Sequence, residues 1–370
     1  MKVGIFTING IPNFGNRLQN YAMQKVLKDL GFESETIINK TNVPRCTKTT
    51  KELFFEGSLN DKLRLIKTKL SVEKNRELNE KRAERFALFA EKYIKEMDTS
   101  IELGKVPNDF HKRCDYFIAG SDQVWNPHIP AVSEISFLTF APVEKRITYA
   151  PSFGVSKIPE EYKNDYKKWL GEIEDISVRE DDGAKIVEEL TGKKAIVHVD
   201  PTMLLTKNEW LDVSKAAEEK PAKKYILTYF LGDIASNVKK KMKEIEKKYN
   251  LEVINLASEK DKNYYLTDPS EFIDYINNAE VFITDSFHGC VFSVLLETPF
   301  IVCDRQGPGD QKMNSRIDTL LETFKLQSRR FVNVTDETLF LTDYKEANKV
   351  LEVEREKSKA YLKKILKIKN

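Results

Sequence analysis

A histidine stands where a predicted strand gives way to a predicted helix. The segment "VFITDSFHGC" places His288 directly after an apolar run and before Gly289. A histidine exchanges its proton near neutral pH and can act as a general acid or base at the edge of a sheet. A lone histidine is also often a structural residue, so both interpretations stay open for this segment taken alone.

An arginine follows a second predicted strand in the segment "SVRED". The planar guanidinium of Arg179 would suit a carboxylate or phosphate group of a ligand. The alternative is an ion pair with one of the three acidic residues that follow, Glu180, Asp181 or Asp182. The position at a strand end keeps both interpretations open.

Polar side chains crowd a third predicted strand end, in "AGSDQVWN". Ser121, Asp122, Gln123 and Asn126 are more polar groups than a simple turn requires. The tryptophan among them, Trp125, would either stack on a sugar ring or pack in the core beneath the loop. This segment is therefore a candidate binding loop.

A loop enters the first predicted helix at Gly15 and Asn16, in "FGNRLQNYAMQ". Free backbone amides at such a point favour an anion or a polar ligand. In the alternative interpretation, Asn16 only caps the helix.

The elements that must position these residues alternate between strand and helix. Residues 2–8 read as a buried strand, residues 16–30 as a helix, and "ESETII" as a strand again, which is the unit that builds a parallel sheet. Polar residues then follow the strands in "CDYFIAG", "KRITYAP", "DISVR" and "KAIVHVD", as along one rim of an open sheet. Residues 59–97 have the period of one or two long helices.

The second half of the chain repeats this alternation. Strands are predicted in "YILTYFLGD", "LEVINLA", "VFIT" and "FIVCD", with helices near residues 269–278 and 288–297. A polar segment at residues 206–224 predicts a domain boundary. We predict an α/β fold with two Rossmann-like domains, 1–205 and 206–345, that face each other across a cleft, and a C-terminal helix at 346–370 that packs back on the first domain.

Composition excludes several classes of protein. The 370 residues include 60 basic and 58 acidic side chains, and glutamates interrupt the lysine clusters, so we expect no nucleic-acid partner. Metal-ligand spacings and the common nucleotide, zinc and hydrolase motifs are absent from the sequence, so we expect no metal and no cofactor. The four cysteines, Cys46, Cys114, Cys290 and Cys303, lack C-x-x-C spacing and are expected to be reduced thiols.

The apolar runs are short. The start of the chain, "MKVGIFTING", reads as a strand rather than as a signal peptide. No run approaches the roughly 18 apolar residues that a membrane-spanning helix needs. We therefore expect a cytoplasmic protein.

Six segments, taken in order over nearly the whole chain, resemble a known family. They are "GNRLQNYAMQ", "DYFIAGSDQVWNP", "ITYAPSFG", "SVREDDGAKIVEELTG", "HVDPTMLL" and "FITDSFHGCVFSVLLETPFIV". Together they resemble the polysaccharide pyruvyl transferase family. The resemblance implies a fold like that of glycosyltransferases with two Rossmann-like domains (GT-B-like). It also implies transfer of a pyruvyl group from phosphoenolpyruvate to sugar hydroxyls, commonly as a cyclic ketal.

The resemblance also implies roles for individual residues. The family's catalytic histidine falls on His288 and its strand-end arginine on Arg179. Relatives often carry a cation just ahead of the histidine, where this chain has Asp285 and Ser286. Phosphoenolpyruvate carries a carboxylate and a phosphate and needs several fixed cations. Its predicted binding residues are Arg179, Ser286, His288, Gly289, Arg305 and Arg316. Lys312 and Asn314 lie in the same glycine-rich loop as Arg305 and Arg316, which could fold over the donor. The alternative is that this segment is an ordinary exposed loop.

The acceptor would then face the first domain. The resemblance implies a glycan or a lipid-linked oligosaccharide, which would bring the protein close to a membrane surface. The predicted acceptor residues are Gly15, Asn16, Gln19, Ser121, Asp122, Gln123 and Ser152, with Asp122 also as a candidate base beside the predicted catalytic residues His288 and Arg179. Asp200, in "HVDPT", would either contribute to the site or hold its loop.

A physical difficulty attaches to the histidine. The helix dipole disfavours a cation at a helix N-terminus, where His288 is expected. A dianionic substrate or a nearby carboxylate such as Asp285 would restore the cationic form, because opposite charges stabilise each other. We therefore predict that His288 becomes a competent acid when phosphoenolpyruvate is bound.

Two other functions fit the same fold. A glycosyltransferase that uses a nucleotide sugar would need a site for the base and ribose, for which Glu297 is a candidate. A non-catalytic glycan-binding protein could also keep the two-domain architecture.

Overall fold

The computed structural model describes residues 1–10, 12–43, 75–306 and 315–368. Several predictions concern residues outside the described ones. These are the thiol of Cys46, the loop residues Lys312 and Asn314, and the predicted helix over residues 59–74. In the described part of the chain, two parallel sheets with packed helices confirm the predicted α/β fold.

The first sheet contains five parallel strands in the order β3-β2-β1-β4-β5. The strands are β1 (Lys2–Phe6), β2 (Glu33–Asn39), β3 (Glu96–Ile101), β4 (Tyr116–Ala119) and β5 (Arg146–Thr148). The helices of this half are α1 (Phe14–Asp29), α2 (Arg76–Tyr93), α3 (Lys163–Gly171) and α4 (Asp181–Thr191). A short parallel pair, β6 (Ser177–Val178) and β7 (Ile196–Val197), follows β5 along the chain.

The prediction for residues 59–97 is wrong at its C-terminal end. Helix α2 ends at Tyr93, and the edge strand β3 begins at Glu96. The sequence of β3, EMDTSI, buries only Met97 and Ile101, so its polar exposed positions resemble a helix surface more than a strand.

The second sheet contains four parallel strands in the order β11-β10-β8-β9. They are β8 (Tyr225–Tyr229), β9 (Glu252–Asn255), β10 (Val281–Thr284) and β11 (Phe300–Val302). The central strands β8 and β10 are buried at every position, as expected of parallel strands covered on both faces. The helices are α5 (Lys207–Val213), α6 (Ser236–Tyr249), α7 (Lys262–Tyr265), α8 (Pro269–Asn277), α9 (Phe287–Leu296), α10 (Ser315–Thr323) and α11 (Lys345–Ile365).

The segment predicted only as a polar boundary contains helix α5. Thr206 and Glu209 form a capping box at its start, and Trp210 is completely buried. The polar composition of residues 206–224 concealed this helix, because only one of its faces is apolar.

The two sheets share one continuous apolar core. Phe14 at the start of α1 stacks on Phe272 of α8, with ring centroids 4.2 Å apart and planes 8° apart. The last helix, α11, is joined to the first half: Arg355 donates hydrogen bonds to the carbonyls of Met203 and Leu205, at 2.7 and 2.6 Å. These contacts fix the edges that carry the predicted site residues. Among the described helices, none is long and apolar enough to cross a membrane.

Candidate active site

His288 occupies the first turn of α9, at the carboxyl edge of β10. The side chain of Ser286 caps the helix by accepting a hydrogen bond from the amide of Gly289, at 3.3 Å. A Cβ atom on Gly289 would lie 2.9 Å from Oγ1 of Thr284, so the glycine lets the helix pack tightly on its strand. The sequence "DSFHG" therefore makes a compact turn that holds a buried imidazole in place.

The carboxylate that faces His288 is that of Asp200. Nε2 of the histidine lies 3.4 Å from Oδ2 of Asp200, an ion-pair distance without hydrogen-bond geometry. Asp200 also holds its own loop, because its Oδ1 accepts hydrogen bonds from the amide and hydroxyl of Thr202, at 3.0 and 2.7 Å. Asp200 therefore holds its loop and also faces His288, and its part in the reaction stays a prediction.

The expectation that Asp285 serves His288 does not match the geometry. The carboxylate of Asp285 accepts hydrogen bonds from the amides of Leu231 and Gly232, at 2.7 and 2.9 Å. Its Oδ2 also lies 3.4 Å from Nε of Arg305. Asp285 thus joins the ends of β8 and β10 and fixes Arg305.

Arg179 lies at the end of β6 and pairs with none of the three acidic residues that follow it. It donates hydrogen bonds to Asp200, at 2.6 Å, and to Asp122, at 3.3 Å. Its guanidinium carbon lies 4.6 Å from the ring centroid of Phe287. Burial opposes the charge of Arg179, but the carboxylates of Asp200 and Asp122 outweigh it and raise the pKa.

Arg316, in α10, is buried without such partners. Its Nε has no hydrogen-bond partner among the described residues, and its guanidinium carbon lies 6.0 Å from the ring of Phe287. Burial, followed by the like charge of Arg179, lowers the pKa of Arg316 to about 10. Two guanidinium groups thus approach one phenyl ring, an arrangement that an anion would stabilise.

Asp200 is the negative centre of this cluster. Burial alone would raise its pKa, but the charges of His288 and Arg179 and the hydrogen bond from Thr202 hold the pKa far below its ordinary value. The carboxylate is therefore ionised at neutral pH, and its Oδ2 faces Nε2 of His288.

A cavity of about 190 Å³ lies between the two halves of the molecule beside this cluster. Its walls include Phe287, the neighbour of His288, and a buried histidine, His198, whose Nδ1 lies 3.0 Å from the hydroxyl of Ser177. Burial and the charge of Lys357 lower the pKa of His198 to about 4, so this imidazole is neutral at neutral pH. The polar residues that line the cavity are Arg179, Asp181, His198, Asp200, Arg316, Thr319, Thr323, Glu354 and Lys357.

The first half contributes the start of α1 to the site. A Cβ atom on Gly15 would lie 2.0 Å from Nδ1 of His288, so the glycine backbone packs directly against the imidazole. The side chain of Asn16 donates a hydrogen bond to Asp122. The residue that caps the helix is Asn13 and not Asn16. The side-chain oxygen of Asn13 accepts a hydrogen bond from the backbone amide of Asn16. The structure therefore brings Gly15 and Asn16 to the predicted site.

Asp122 is held on both carboxylate oxygens. Oδ1 accepts hydrogen bonds from Arg179 and from the amide of Gln123, and Oδ2 accepts one from Asn16. Its backbone adopts the left-handed conformation with φ of 67°, which costs free energy in a residue other than glycine. The contacts of Asp122 fit a positioning role for Arg179.

Three of the predicted acceptor residues are completely buried and bonded inward. Gln19 donates to Thr7, at 2.7 Å. Ser121 donates to the carbonyl of Ala150, at 2.7 Å, and Ser152 to Glu180, at 2.9 Å. These side chains support the loops of the site from behind.

The remaining polar loop residues have structural contacts. Gln123 is half-buried, and its side-chain oxygen Oε1 accepts a hydrogen bond from the side-chain amide of Asn126, at 2.6 Å. Trp125 is completely buried, stacks on Phe137 at 5.1 Å and donates to the carbonyl of Ser136, at 3.0 Å. Of the two interpretations of Trp125, the structure supports the core residue.

Sequence reasoning missed Phe287, His198 and the pairing of Asp200 with His288. The sequence did contain a signal for His198 and Asp200. Both lie in the strand end "HVDP", where two polar residues interrupt an apolar run. Phe287 gave no signal, since an aromatic residue beside a helix start is ordinary in a core.

Comparisons with known proteins identify the family. None of the curated proteins gives a significant match. Among solved structures, MurG of Acinetobacter baumannii is 10% identical, with 99% of each chain covered and a TM-score of 0.42. The UDP-GlcNAc 2-epimerase of Methanocaldococcus jannaschii is 13% identical, with 100% of each chain covered and a TM-score of 0.47.

A putative UDP-N-acetylglucosamine 2-epimerase from Listeria monocytogenes is 11% identical, covering 97% of this chain and 90% of that one, with a TM-score of 0.49. All three TM-scores are below 0.5, and no residue is assigned from them. In sequence, the family model described as polysaccharide pyruvyl transferase matches residues 13–307. Because this match spans most of the 370 residues, the chain belongs to the polysaccharide pyruvyl transferase family and is a transferase.

Proposed function

We propose that the protein transfers the pyruvyl group of phosphoenolpyruvate to hydroxyls of a sugar in a cell-surface or exopolysaccharide precursor, with His288 as the general acid. The observation that carries the proposal is the buried, like-charged pair Arg179 and Arg316 beside His288. Such a pair is unfavourable in an empty site, and a dianionic ligand would stabilise it. The family supplies the reaction class.

Phosphoenolpyruvate would bind in the cavity beside the two arginines. The terminal nitrogens of Arg179 already bond to Asp200 and Asp122, so Arg316 is the cation best able to bond to a carboxylate or phosphate oxygen. Arg305, which follows His288 in sequence as Arg316 does, is fixed by Asp285 and offers a second cation. The turn around Ser286 and Gly289 holds the histidine at the start of α9.

The reaction begins with protonation of the enol carbon. Cationic His288 would give its proton to the methylene carbon, and a sugar hydroxyl would add to the neighbouring carbon with loss of its own proton. A second hydroxyl would then displace phosphate, which leaves with the second proton, and the product would be a ketal of pyruvate. Phosphoenolpyruvate plus two hydroxyls thus gives one ketal plus inorganic phosphate.

Asp200 would act as a positioning residue for His288. It is ionised, completely buried and 3.4 Å from Nε2, so it would both orient the imidazole and stabilise its proton. The assignment of Asp122 as the base that takes the hydroxyl proton stays a prediction. Both of its oxygens are engaged, and a base would have to release one of these contacts.

The direct test uses purified protein with phosphoenolpyruvate and a panel of galactosides, glucosides and mannosides. We expect release of inorganic phosphate together with a pyruvyl mass gain on one acceptor. The matching binding test is thermal unfolding, in which phosphoenolpyruvate should raise the Tm and uridine and cytidine diphosphates should not. Stabilisation by a nucleotide diphosphate alone would favour the glycosyltransferase alternative.

A further inference from the structure

A second cavity lies at the carboxyl edge of the first sheet. Its volume is about 300 Å³, and its walls come from the segments that follow three adjacent strands. These are residues 6–10 at and after the end of β1, Asn39, Thr41 and Asn42 at and after the end of β2, and residues 129–132 in the loop after β4. We call it the sheet-edge pocket.

The strand order places this pocket at the topological switch point of the sheet. The chain runs from β1 outward through β2 to β3, and it then returns to the other side of β1 with β4 and β5. In open parallel sheets, ligands bind beyond the carboxyl ends of the strands at the point where the order reverses. Thr7 after β1 and Val124 after β4 line the pocket at this point.

The pocket is adjacent to the catalytic cluster but separate from it. Thr7 donates a hydrogen bond to the carbonyl of Ser121, at 3.0 Å, and the hydroxyl oxygen of Ser121 lies 3.1 Å from Oδ2 of Asp200. Both residues are buried and form the wall between the pocket and the cluster. The pocket thus lies within two hydrogen-bonded contacts of Asp200, close enough for adjoining units of one acceptor to reach both places.

The residues that line the sheet-edge pocket differ in charge from those that line the cavity beside Arg179 and Arg316. Within the described part of the chain, none of its lining residues is charged. Apolar side chains such as Val124 and Val132 lie beside the amides of Asn9 and Asn42, a mixture that suits the apolar faces and hydroxyls of a sugar ring. A uronic acid there would lose hydration without gaining a counter-charge.

We infer that the sheet-edge pocket binds an uncharged sugar unit of the acceptor, next to the unit that receives the pyruvyl group. The inference rests on the proposed function, which supplies the acceptor. In this proposal the acceptor contacts the residues of the sheet-edge pocket. Gln19, Ser121 and Ser152 are completely buried and do not contact it.

The test measures sugar binding without turnover. Saturation-transfer NMR on the full chain would use cellobiose, maltose and lactose, together with cellobiouronic acid as the acidic counterpart of cellobiose. We expect saturable binding of a neutral disaccharide and about tenfold weaker binding of the acid. Ala131→Trp, which fills the pocket, and Asn42→Trp, at its exposed rim, should each weaken the neutral disaccharide by about tenfold or more.

The controls separate this inference from the proposed function. Val353→Trp, at an exposed position in α11, should leave disaccharide affinity unchanged, and none of the three variants should alter phosphoenolpyruvate binding. Unchanged disaccharide affinity in both pocket variants, equal binding of the acid, or no saturable binding of any neutral disaccharide would overturn the inference. Disaccharide binding that the pocket variants abolish, in a protein that does not bind phosphoenolpyruvate, would support the pocket and contradict the proposed donor.

Discussion

Two buried arginines in the same site have opposite electrostatic surroundings. Arg179 bonds to the carboxylates of Asp200 and Asp122, which raise its pKa despite burial. Arg316 has no carboxylate within ion-pair distance among the described residues. Burial and the like charge of Arg179 lower its pKa to about 10, although the more distant carboxylates of Glu180 and Asp122 oppose this shift. The charge of Arg179 is balanced by two carboxylates of the protein. The charge of Arg316 has no such ion pair among the described residues.

The difference indicates which residues serve the fold and which serve a ligand. A buried charge normally requires a partner, because leaving water without one costs several kcal/mol. The chain supplies carboxylates to both terminal nitrogens of Arg179, so these contacts form before any substrate arrives. For Arg316 the described residues supply no carboxylate within ion-pair distance, and we propose that a ligand provides the partner.

Replacement of His288 should have the largest effect on activity. Loss of the general acid in His288→Ala should lower turnover by about 10²–10⁴-fold while the protein stays folded. Phosphate release measures turnover, and circular dichroism measures folding. His111→Ala, at the opposite edge of the first sheet, is the matched control and should keep wild-type turnover. A folded His288→Ala protein with most of its turnover would remove the histidine from the mechanism.

The two arginines should respond differently to substitution by glutamine. Arg179→Gln leaves Asp200 and Asp122 without their cation and should lower the free energy of unfolding by about 3–5 kcal/mol. Arg316→Gln removes a charge that has no carboxylate within ion-pair distance among the described residues and should cause no such loss, while it raises the KM for phosphoenolpyruvate by about 10–100-fold. Urea unfolding and steady-state kinetics measure the two effects.

Arg76→Gln, at an exposed ion pair in α2, is the control for both arginine variants and should match the wild type in each assay. Equal destabilisation by Arg179→Gln and Arg316→Gln would contradict the distinction between a structural and a ligand-binding arginine.

Gly15→Ala tests the contact between the two halves at the histidine. The added methyl group would overlap the imidazole of His288, so the ring must move, and a displacement of this kind can lower kcat by about 10²-fold. Gly171→Ala, where a Cβ atom meets nothing within 4 Å, should leave kcat unchanged. An unchanged kcat in Gly15→Ala would show that the imidazole position is not critical.

Asp200 should contribute a smaller effect that depends on pH. Its pKa is lower in the folded protein than in the unfolded chain, so its stabilisation is present above the unfolded pKa of about 4 and is lost as the pH falls towards the folded value. The difference in unfolding free energy between wild type and Asp200→Asn should therefore be about 1–3 kcal/mol at pH 7 and shrink below pH 4. A constant difference across this range would contradict the assignment.

The sequence predicted more of the fold than of the contacts in the site. Strand and helix positions follow from apolar periodicity, and β10, α9 and the turn that carries His288 lie where the pattern predicts them. Edge strand β3 and helix α5 escaped prediction because each has only one apolar face. Pairings such as Asp200 with His288 depend on how two distant loops meet, which no local pattern contains.

The predicted acceptor residues illustrate the same limit. Gly15 and Asn16 meet the site, whereas Gln19 and Ser152 point inward and hold its loops, and the buried hydroxyl of Ser121 supports Asp200. Their polar character gave a correct position along the sheet edge. It could not indicate the direction of each side chain, because buried loop supports use the same residue types as binding residues.

Calorimetric titration of phosphoenolpyruvate into wild type and Arg316→Gln tests the central claim most directly, with uridine diphosphate as the comparison ligand. The account predicts that the wild type binds phosphoenolpyruvate, that Arg316→Gln binds it at least about tenfold more weakly, and that uridine diphosphate does not bind either protein. Equal affinity of the two proteins for phosphoenolpyruvate, or binding of uridine diphosphate alone, would contradict it.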